Sequence, residues 1–180
     1  MARALLVVDV QHDFLPGGAL AVASGDEVLA PIAALIEQGG FDLVVATRDW
    51  LPADHGSFAA QGGPWPVHCV QHTPGAELHP ALDRTRIDVV IDTGEDPAVE
   101  GYSGFQETGL RELLHERGID EVTVVGLATD YCVKHTALDA RAAGLAVEVD
   151  ARAVRAVDVR PGDGDRALAE IEAAGGTVRR

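Results

Sequence analysis

Short, nearly continuous apolar runs that alternate with helical stretches constrain the fold of this chain most. Runs of this kind are typical of strands buried on both faces of a sheet. The clearest are Ala4–Val10, Leu43–Thr47, Val89–Asp92 and Val122–Leu127. Weaker strand candidates are Leu145–Val149 and Thr177–Val178. Helical periodicity lies between the strands, at roughly 27–38, 106–117, 131–143 and 164–174, and glycines follow these stretches as they follow helix C-termini.

This alternation predicts an α/β fold, with three αβα layers around a doubly wound sheet of about six mostly parallel strands. The 180 residues fit one domain, 1–180, with enough length for a buried core. Two long connections, from Trp50 to about Pro80 and from Gly94 to Phe105, break the rhythm. They carry aromatic residues and histidines, so we expect them to form the walls of a pocket.

Composition excludes several classes of partner. A net charge of −15 leaves no basic face for nucleic acid or an anionic membrane, and no apolar run is long enough to cross a bilayer. Asp9 interrupts the N-terminal apolar run, so we do not expect a secretory signal. We therefore expect a cytoplasmic location. Cys69 and Cys132 form neither a disulfide framework nor a paired zinc pattern.

The residues with chemical potential fall at the ends of the predicted strands. Asp9 ends the first strand, Asp49 and Thr93 follow the second and third, and the segment 128–132 follows the fourth. In an open α/β sheet, ligands bind outside the carboxyl ends of the strands. These segments are therefore expected to meet at one edge.

Cys132 is the candidate nucleophile. It follows Thr129-Asp130, either of which could cap a helix, and a thiol in a first helical turn has its pKa lowered by the helix dipole. Amides at that helix terminus could hold an oxyanion, and Asp9 could serve as general base and then as acid. Alternatively, Cys132 is a small buried apolar residue and Asp9 a carboxylate that caps nearby amides.

Asp49, His55 and His68 form a second candidate group. Their oxygen and nitrogen atoms could bind Zn²⁺, Mn²⁺ or Fe²⁺, although histidines in loops are often surface residues bonded to water or backbone. Cys69, beside His68, is expected to pack rather than to react.

Five segments in order resemble the nicotinamidases of the isochorismatase-like cysteine hydrolase superfamily. They are VVDVQHDFLPGGAL (7–20), ATRDWLPADHGSF (46–58), GPWPVHCVQHTPGAELHP (63–80), YSGF (102–105) and GLATDYCVKHTALDA (126–140). The resemblance implies an isochorismatase-like fold and an amide hydrolase. Such an enzyme cleaves the carboxamide of nicotinamide, or of a related small aromatic amide, to acid and ammonia through a thioester.

The resemblance also assigns roles to residues. It implies that Asp9 is the catalytic aspartate and Cys132 the attacking thiol, with the amides of Ala128 and Cys132 as the oxyanion hole. A cis peptide bond is expected between Leu127 and Ala128. Phe14, Trp65 and Tyr102 would line a slot for a flat ring.

The resemblance further implies a divalent metal on Asp49 and His68, with His55 as a further ligand. It implies no organic cofactor. The partners it implies are a small-molecule substrate and, because the family often forms oligomers, further copies of this chain.

Three positions depart from the family pattern. Thr93 stands where the family has its third catalytic residue, a lysine, and Leu51 stands where DWHP would place a metal-binding histidine. His12 replaces an asparagine, and its role is open. Lys134 is the only lysine and is expected to point to a different helix face from Cys132. Losing the lysine cation is expected to cost ~3 kcal/mol or more, roughly a hundredfold in rate.

Three functions therefore stay open at the level of sequence. The first is a nicotinamidase-like hydrolase weakened or retuned by Thr93. The second is an impaired family member that binds a small molecule without catalysis. The third is a hydrolase for another carboxamide or an isochorismate-like ether, which the more apolar Leu51 would suit.

Overall fold

Six parallel strands form one sheet in this protein, whose computed structural model describes all 180 residues. The strands are β1 (Ala2–Val8), β2 (Leu43–Asp49), β3 (Val89–Thr93), β4 (Ile119–Leu127), β5 (Ala146–Arg155) and β6 (Thr177–Arg179). Their order is β3-β2-β1-β4-β5-β6, and every neighbouring pair is parallel. The predicted α/β sheet is confirmed, with all of its strands parallel rather than most of them.

The helices are divided unequally between the two faces of the sheet. They are α1 (Leu29–Gln38), α2 (Leu110–Glu116), α3 (Lys134–Ala142) and α4 (Asp163–Ala173). Helix α1 packs on the face that includes Leu5 and Val7, together with the long connection between β2 and β3. The other three helices cover the opposite face, which includes Leu6 and Val8. No helix combines the length and the apolar composition that a bilayer crossing needs.

Several predicted boundaries are wrong by a few residues near the strand ends. Strand β1 stops at Val8, and Asp9 leaves it with a left-handed backbone at φ 50°. Helix α3 begins at Lys134 instead of Tyr131, because residues 129–133 form a wider π-helical turn. Helix α2 begins only at Leu110. Helical periodicity does not reveal such turns, since tertiary contacts set them.

The strand order reverses between β1 and β4. The chain leaves β1 toward β2 on one side, and β4 continues toward β5 on the other, which opens a crevice at the carboxyl ends of the two central strands. Gly126 lets these strands approach closely at that end, since a Cβ at its φ of 115° would collide with the backbone of Val8. Asp9 and Ala128 follow directly after the two strands.

Candidate active site

Asp9 and Cys132 meet at this crevice. Both are buried, and a carboxylate oxygen of Asp9 lies within 4.8 Å of the Cys132 sulfur. The Thr47 hydroxyl donates to Asp9 Oδ1 at 2.7 Å and fixes the carboxyl group. A carboxylate oxygen of Asp9, one of Asp49 and the Cys132 sulfur all lie within 4.8 Å of one another. Three of the groups predicted to share an edge therefore share one small site.

Burial raises the pKa of both reactive groups. For Asp9, burial is the largest cause and the charge of Asp49 adds to it, while hydrogen bonds from Cys132 and Thr47 oppose it. For Cys132, burial again comes first, followed by the charges of Asp9 and Asp49. The prediction that the helix dipole lowers the thiol pKa is therefore wrong. Desolvation and two carboxylates outweigh the terminal amides, and both groups are biased toward their protonated forms.

The turn before Cys132 presents an unpaired amide. The peptide bond between Leu127 and Ala128 is cis, as expected. The Ala128 carbonyl accepts hydrogen bonds from the amides of Tyr131 and Val133, both at 3.1 Å, which holds the turn together. The Ala128 N–H itself donates to no acceptor in the protein. A free N–H beside a thiol suits an oxyanion hole, a role that stays a prediction for Ala128 and Cys132.

A cavity opens over the thiol. The empty space there, including the open mouth, is about 470 Å³. Phe14, Trp65 and Tyr102, the predicted ring-slot residues, all line it together with Ala128 and Cys132. The Trp65 indole N–H donates to the Tyr102 hydroxyl at 3.0 Å, which fixes two of the walls.

Asp49 and His68 face each other at one side of this cavity. Gln11 anchors the Asp49 backbone, accepting from its N–H and donating to its carbonyl, each at 2.8 Å. His68 Nδ1 donates to the Pro66 carbonyl at 2.8 Å, which leaves Nε2 at 3.8 Å from Asp49 Oδ2. Such a pair offers one carboxylate oxygen and one imidazole nitrogen to a divalent ion.

The structure does not bring His55 to this pair. Its Nε2 donates to the Val99 carbonyl at 2.9 Å, and its Nδ1 accepts from the Ser57 hydroxyl at 2.7 Å. Leu51 is buried and would contact a Cβ placed at Gly94, so it adds only carbon atoms here. Asp49 and His68 thus fit a weakly held divalent metal, with fewer protein ligands than the three usual for catalytic zinc.

The structure also shows the contacts of the residue at the missing lysine's position and of the chain's only lysine. The Thr93 hydroxyl lies at 3.1 Å from Asp49 Oδ1, so the residue at the lysine position touches the site but brings no charge. Lys134 Nζ lies 3.5 Å from Glu170 Oε2 on α4, so the prediction that this lysine points away from Cys132 is confirmed. No lysine or arginine lines the cavity.

Comparison with known proteins shows which family this chain belongs to. The isochorismatase domain family matches residues 3–180. The chain belongs to the isochorismatase family. Among its relatives, a nicotinamidase of Escherichia coli is 44% identical, covering 98% of this chain and 93% of the relative. A nicotinamidase/pyrazinamidase of Mycobacterium tuberculosis is 46% identical, covering 82% of this chain and 83% of the relative.

Solved structures agree with this assignment. The pyrazinamidase of Pyrococcus horikoshii in complex with zinc superposes with a TM-score of 0.93 at 43% identity, over 100% of this chain and 99% of that one. A protein of L. infantum in complex with nicotinate superposes with a TM-score of 0.95 at 40% identity, over 99% and 92% of the two chains. The resemblance to the isochorismatase-like superfamily is confirmed.

Several residues that surround the site of this isochorismatase-family chain were not predicted from the sequence. Thr47 lies two positions before Asp49 on β2, so strand alternation places both side chains on the same face. Tyr131 lines the cavity next to Cys132, and Gln11 anchors Asp49. His12 is exposed, and its ring packs on His79 with centroids 5.3 Å apart, so it lies outside the cavity.

Asp9→Asn is expected to stabilise the isochorismatase fold at neutral pH. Burial holds the folded pKa of Asp9 above its unfolded value, so the folded state binds more protons between those two pKa values. The stability that Asp9 contributes is therefore present below the unfolded pKa and is lost as pH rises through the folded one. The amide oxygen of asparagine can still accept the hydrogen bond from the Thr47 hydroxyl, and because asparagine does not ionise, the folded state loses no stability as pH rises.

Thermal melts at pH 5 and pH 8 measure the effect. Each pKa unit corresponds to about 1.4 kcal/mol, and each kcal/mol to about 2–4 °C in Tm for a chain of this size. The stabilisation by Asp9→Asn should be larger at pH 8. A variant less stable than the parent chain at pH 8 would contradict the conclusion that burying the ionised Asp9 carboxylate destabilises the fold.

Proposed function

We propose that this chain hydrolyses the carboxamide of nicotinamide, or of a closely related small aromatic amide, to the acid and ammonia. The observation that carries the proposal is the close pair of Asp9 and Cys132, next to the unpaired Ala128 amide, at a cavity lined by aromatic rings. Similarity to nicotinamidases over nearly the whole chain supports the choice of substrate.

The first half of the reaction forms a thioester. Ionised Asp9 accepts the thiol proton of Cys132 as the sulfur attacks the carbonyl carbon, and the carbonyl electron pair moves onto oxygen. The amides of Ala128 and Cys132 hold that oxygen. When the C–N bond breaks, Asp9 returns the proton to the departing nitrogen, which leaves as ammonia. The raised pKa of Asp9 makes its carboxylate a stronger base for the first transfer.

The second half releases the acid. Asp9 accepts a proton from water as the water oxygen attacks the thioester carbon. The C–S bond then breaks, and the sulfur regains a proton from Asp9. Phe14, Trp65 and Tyr102 hold the flat ring during both halves through stacking and apolar contact. Thr93, at the lysine position, supplies no charge to the thiolate and only steadies Asp49.

A divalent metal would bind next to the reacting groups. Asp49 and His68 would hold a divalent ion such as zinc, which supplies a Lewis acid for an acceptor atom on the ring when it is bound. His55 remains a predicted further ligand, although it would have to release Ser57 or Val99 to take that role. The proposed reaction requires no organic cofactor.

Ammonia release tests the proposed function. Purified protein is given nicotinamide, benzamide or isochorismate, and ammonia and the acid products are followed over time. We expect ammonia and nicotinate in equal amounts from nicotinamide, and little turnover of isochorismate. Binding of nicotinamide without ammonia would point to the non-catalytic alternative, which the raised thiol pKa favours.

The setting of this reaction is proposed on the same basis. We place the enzyme in the cytoplasm, as one domain over 1–180 that assembles into a homo-oligomer. The net charge of −15 is in keeping with a small-molecule substrate rather than a nucleic acid or an anionic membrane.

A further inference from the structure

Three side chains hold the ring of Tyr102 in the wall of the cavity. The Trp65 indole N–H donates to its hydroxyl at 3.0 Å, and the Tyr131 ring contacts it at a centroid distance of 5.5 Å with 53° between the planes. Both of these residues line the cavity together with Tyr102. The third contact comes from His135, which does not line the cavity. The ring slot is therefore supported from outside as well as from within.

The His135 ring lies nearly parallel to the ring of Tyr102. Their centroids are 5.5 Å apart, and their planes are inclined by 20°. At this distance two nearly parallel rings are offset, an arrangement that stabilises an aromatic pair beyond the burial of its surface. Burial lowers the pKa of His135 and the charge of Lys134 lowers it further, so the ring is mainly neutral at pH 7. It therefore packs on Tyr102 as a flat, uncharged surface.

One helical segment carries both His135 and the nucleophile. Cys132 lies in the π-helical turn that leads directly into α3, and His135 is the second residue of that helix. The next residue, Thr136, accepts a hydrogen bond from the Gly104 N–H at 3.0 Å. Two neighbouring residues of α3 thus hold the loop segment that carries Tyr102. The helix that follows the nucleophile also fixes this wall of the cavity.

We propose that His135 is a positioning residue for the ring slot. It does not line the cavity, so it acts on a bound ligand through the Tyr102 ring that it supports. A ring that is already fixed loses less freedom when a ligand binds, which makes binding tighter. His135 therefore sets the affinity for a flat aromatic amide and leaves the chemical step at Cys132 unchanged. This inference rests on the proposed function, because the slot is the one assigned to the substrate ring.

Binding to the Cys132→Ala variant tests the inference without requiring turnover. Calorimetry measures the Kd of nicotinamide with and without His135→Ala in that background. We expect His135→Ala to weaken binding about threefold to tenfold, the effect of one stacked aromatic contact. His135→Phe restores a flat ring and should keep the Kd within about twofold of the background. His115→Ala is the matched control and should leave the Kd unchanged, since His115 is an exposed histidine on α2 that does not line the cavity.

A double-mutant cycle tests whether His135 acts through Tyr102. Tyr102→Leu removes the ring on which His135 stacks and is expected to weaken binding by itself. In the Tyr102→Leu background, His135→Ala should change the Kd by less than about twofold, because the contact that it removes is already absent. Circular dichroism confirms that each variant is folded. Equal effects of His135→Ala with and without the Tyr102 ring would overturn the inference.

Steady-state kinetics of the otherwise unchanged chain provide a second readout. His135→Ala should raise the KM for nicotinamide about threefold to tenfold and leave kcat within about twofold, since it removes binding that substrate and transition state share. A fall in kcat at unchanged KM would overturn the inference, as would a His135→Phe variant that behaves like His135→Ala.

The outcomes separate this inference from the proposed function. If His135→Ala weakens nicotinamide binding but the parent chain releases no ammonia, the inference stands and the proposed hydrolase function fails. If nicotinamide is hydrolysed and its Kd is unchanged by His135→Ala, the function stands and the inference fails. A chain that neither binds nor hydrolyses nicotinamide would overturn both.

Discussion

Cys132→Ala is expected to abolish ammonia release from nicotinamide, lowering kcat/KM by at least about a thousandfold. Cys132 is the one cysteine that lines the cavity, and its sulfur lies within 4.8 Å of the Asp9 carboxylate, so its removal leaves no thiol to form the thioester. Alanine at this position removes only a buried sulfur, and the fold should persist. Ammonia release, measured alongside the melting temperature, checks both statements.

Cys69 provides the matched control. It is the only other cysteine, it is fully buried in the core on the α1 face, and it does not line the cavity. Burial raises its pKa far above that of an ordinary thiol, so it should be inert. Cys69→Ala is expected to keep kcat/KM within about threefold of the parent chain. Equal losses in the two variants would argue against a nucleophilic role for Cys132.

Thr93→Lys is expected to raise kcat/KM for nicotinamide by about tenfold to a hundredfold. Thr93 ends β3 beside Asp49, whose carboxylate lies within 4.8 Å of both the Cys132 sulfur and the Asp9 carboxylate. An ammonium group there would stabilise the thiolate and lower the raised pKa of Cys132. The pH dependence of alkylation by iodoacetamide reports that pKa directly.

Thr93→Met separates charge from size in this prediction. Methionine fills a similar volume without a cation, so it should neither raise the rate nor lower the thiol pKa. A rate gain in Thr93→Met equal to that in Thr93→Lys would show that packing, not charge, limits the site.

The fold could be predicted because its signals are local. Runs such as Leu43–Thr47 and Val122–Leu127 are short, apolar and bounded by turn residues, so they indicated buried parallel strands, and the strand ends then placed Asp9 near Cys132. The family's motif order predicted the cis peptide before Ala128. No comparable signal marked the start of α3, because the π-helical turn before it depends on packing against the sheet.

The electrostatics of the site could not be predicted in the same way. The pKa of Cys132 depends on how deeply the sulfur is buried and on its distance from two carboxylates that are remote in sequence. His55 matches a family ligand position, yet both of its ring nitrogens form hydrogen bonds, one with Ser57 and one with Val99. The sequence does not reveal these hydrogen bonds. Tyr131 is adjacent to Cys132, but its place in the cavity wall depends on ring contacts with Trp65 and Tyr102 from two distant loops.

Trapping the acyl intermediate tests the catalytic assignment most directly. The reaction with nicotinamide is quenched in acid within one turnover, and the digested peptides are analysed by mass spectrometry. We expect one nicotinoyl group on the peptide that carries Cys132 and none on the peptide that carries Cys69. Ammonia release with no acyl group on Cys132, or with the group attached to another side chain, would contradict the account.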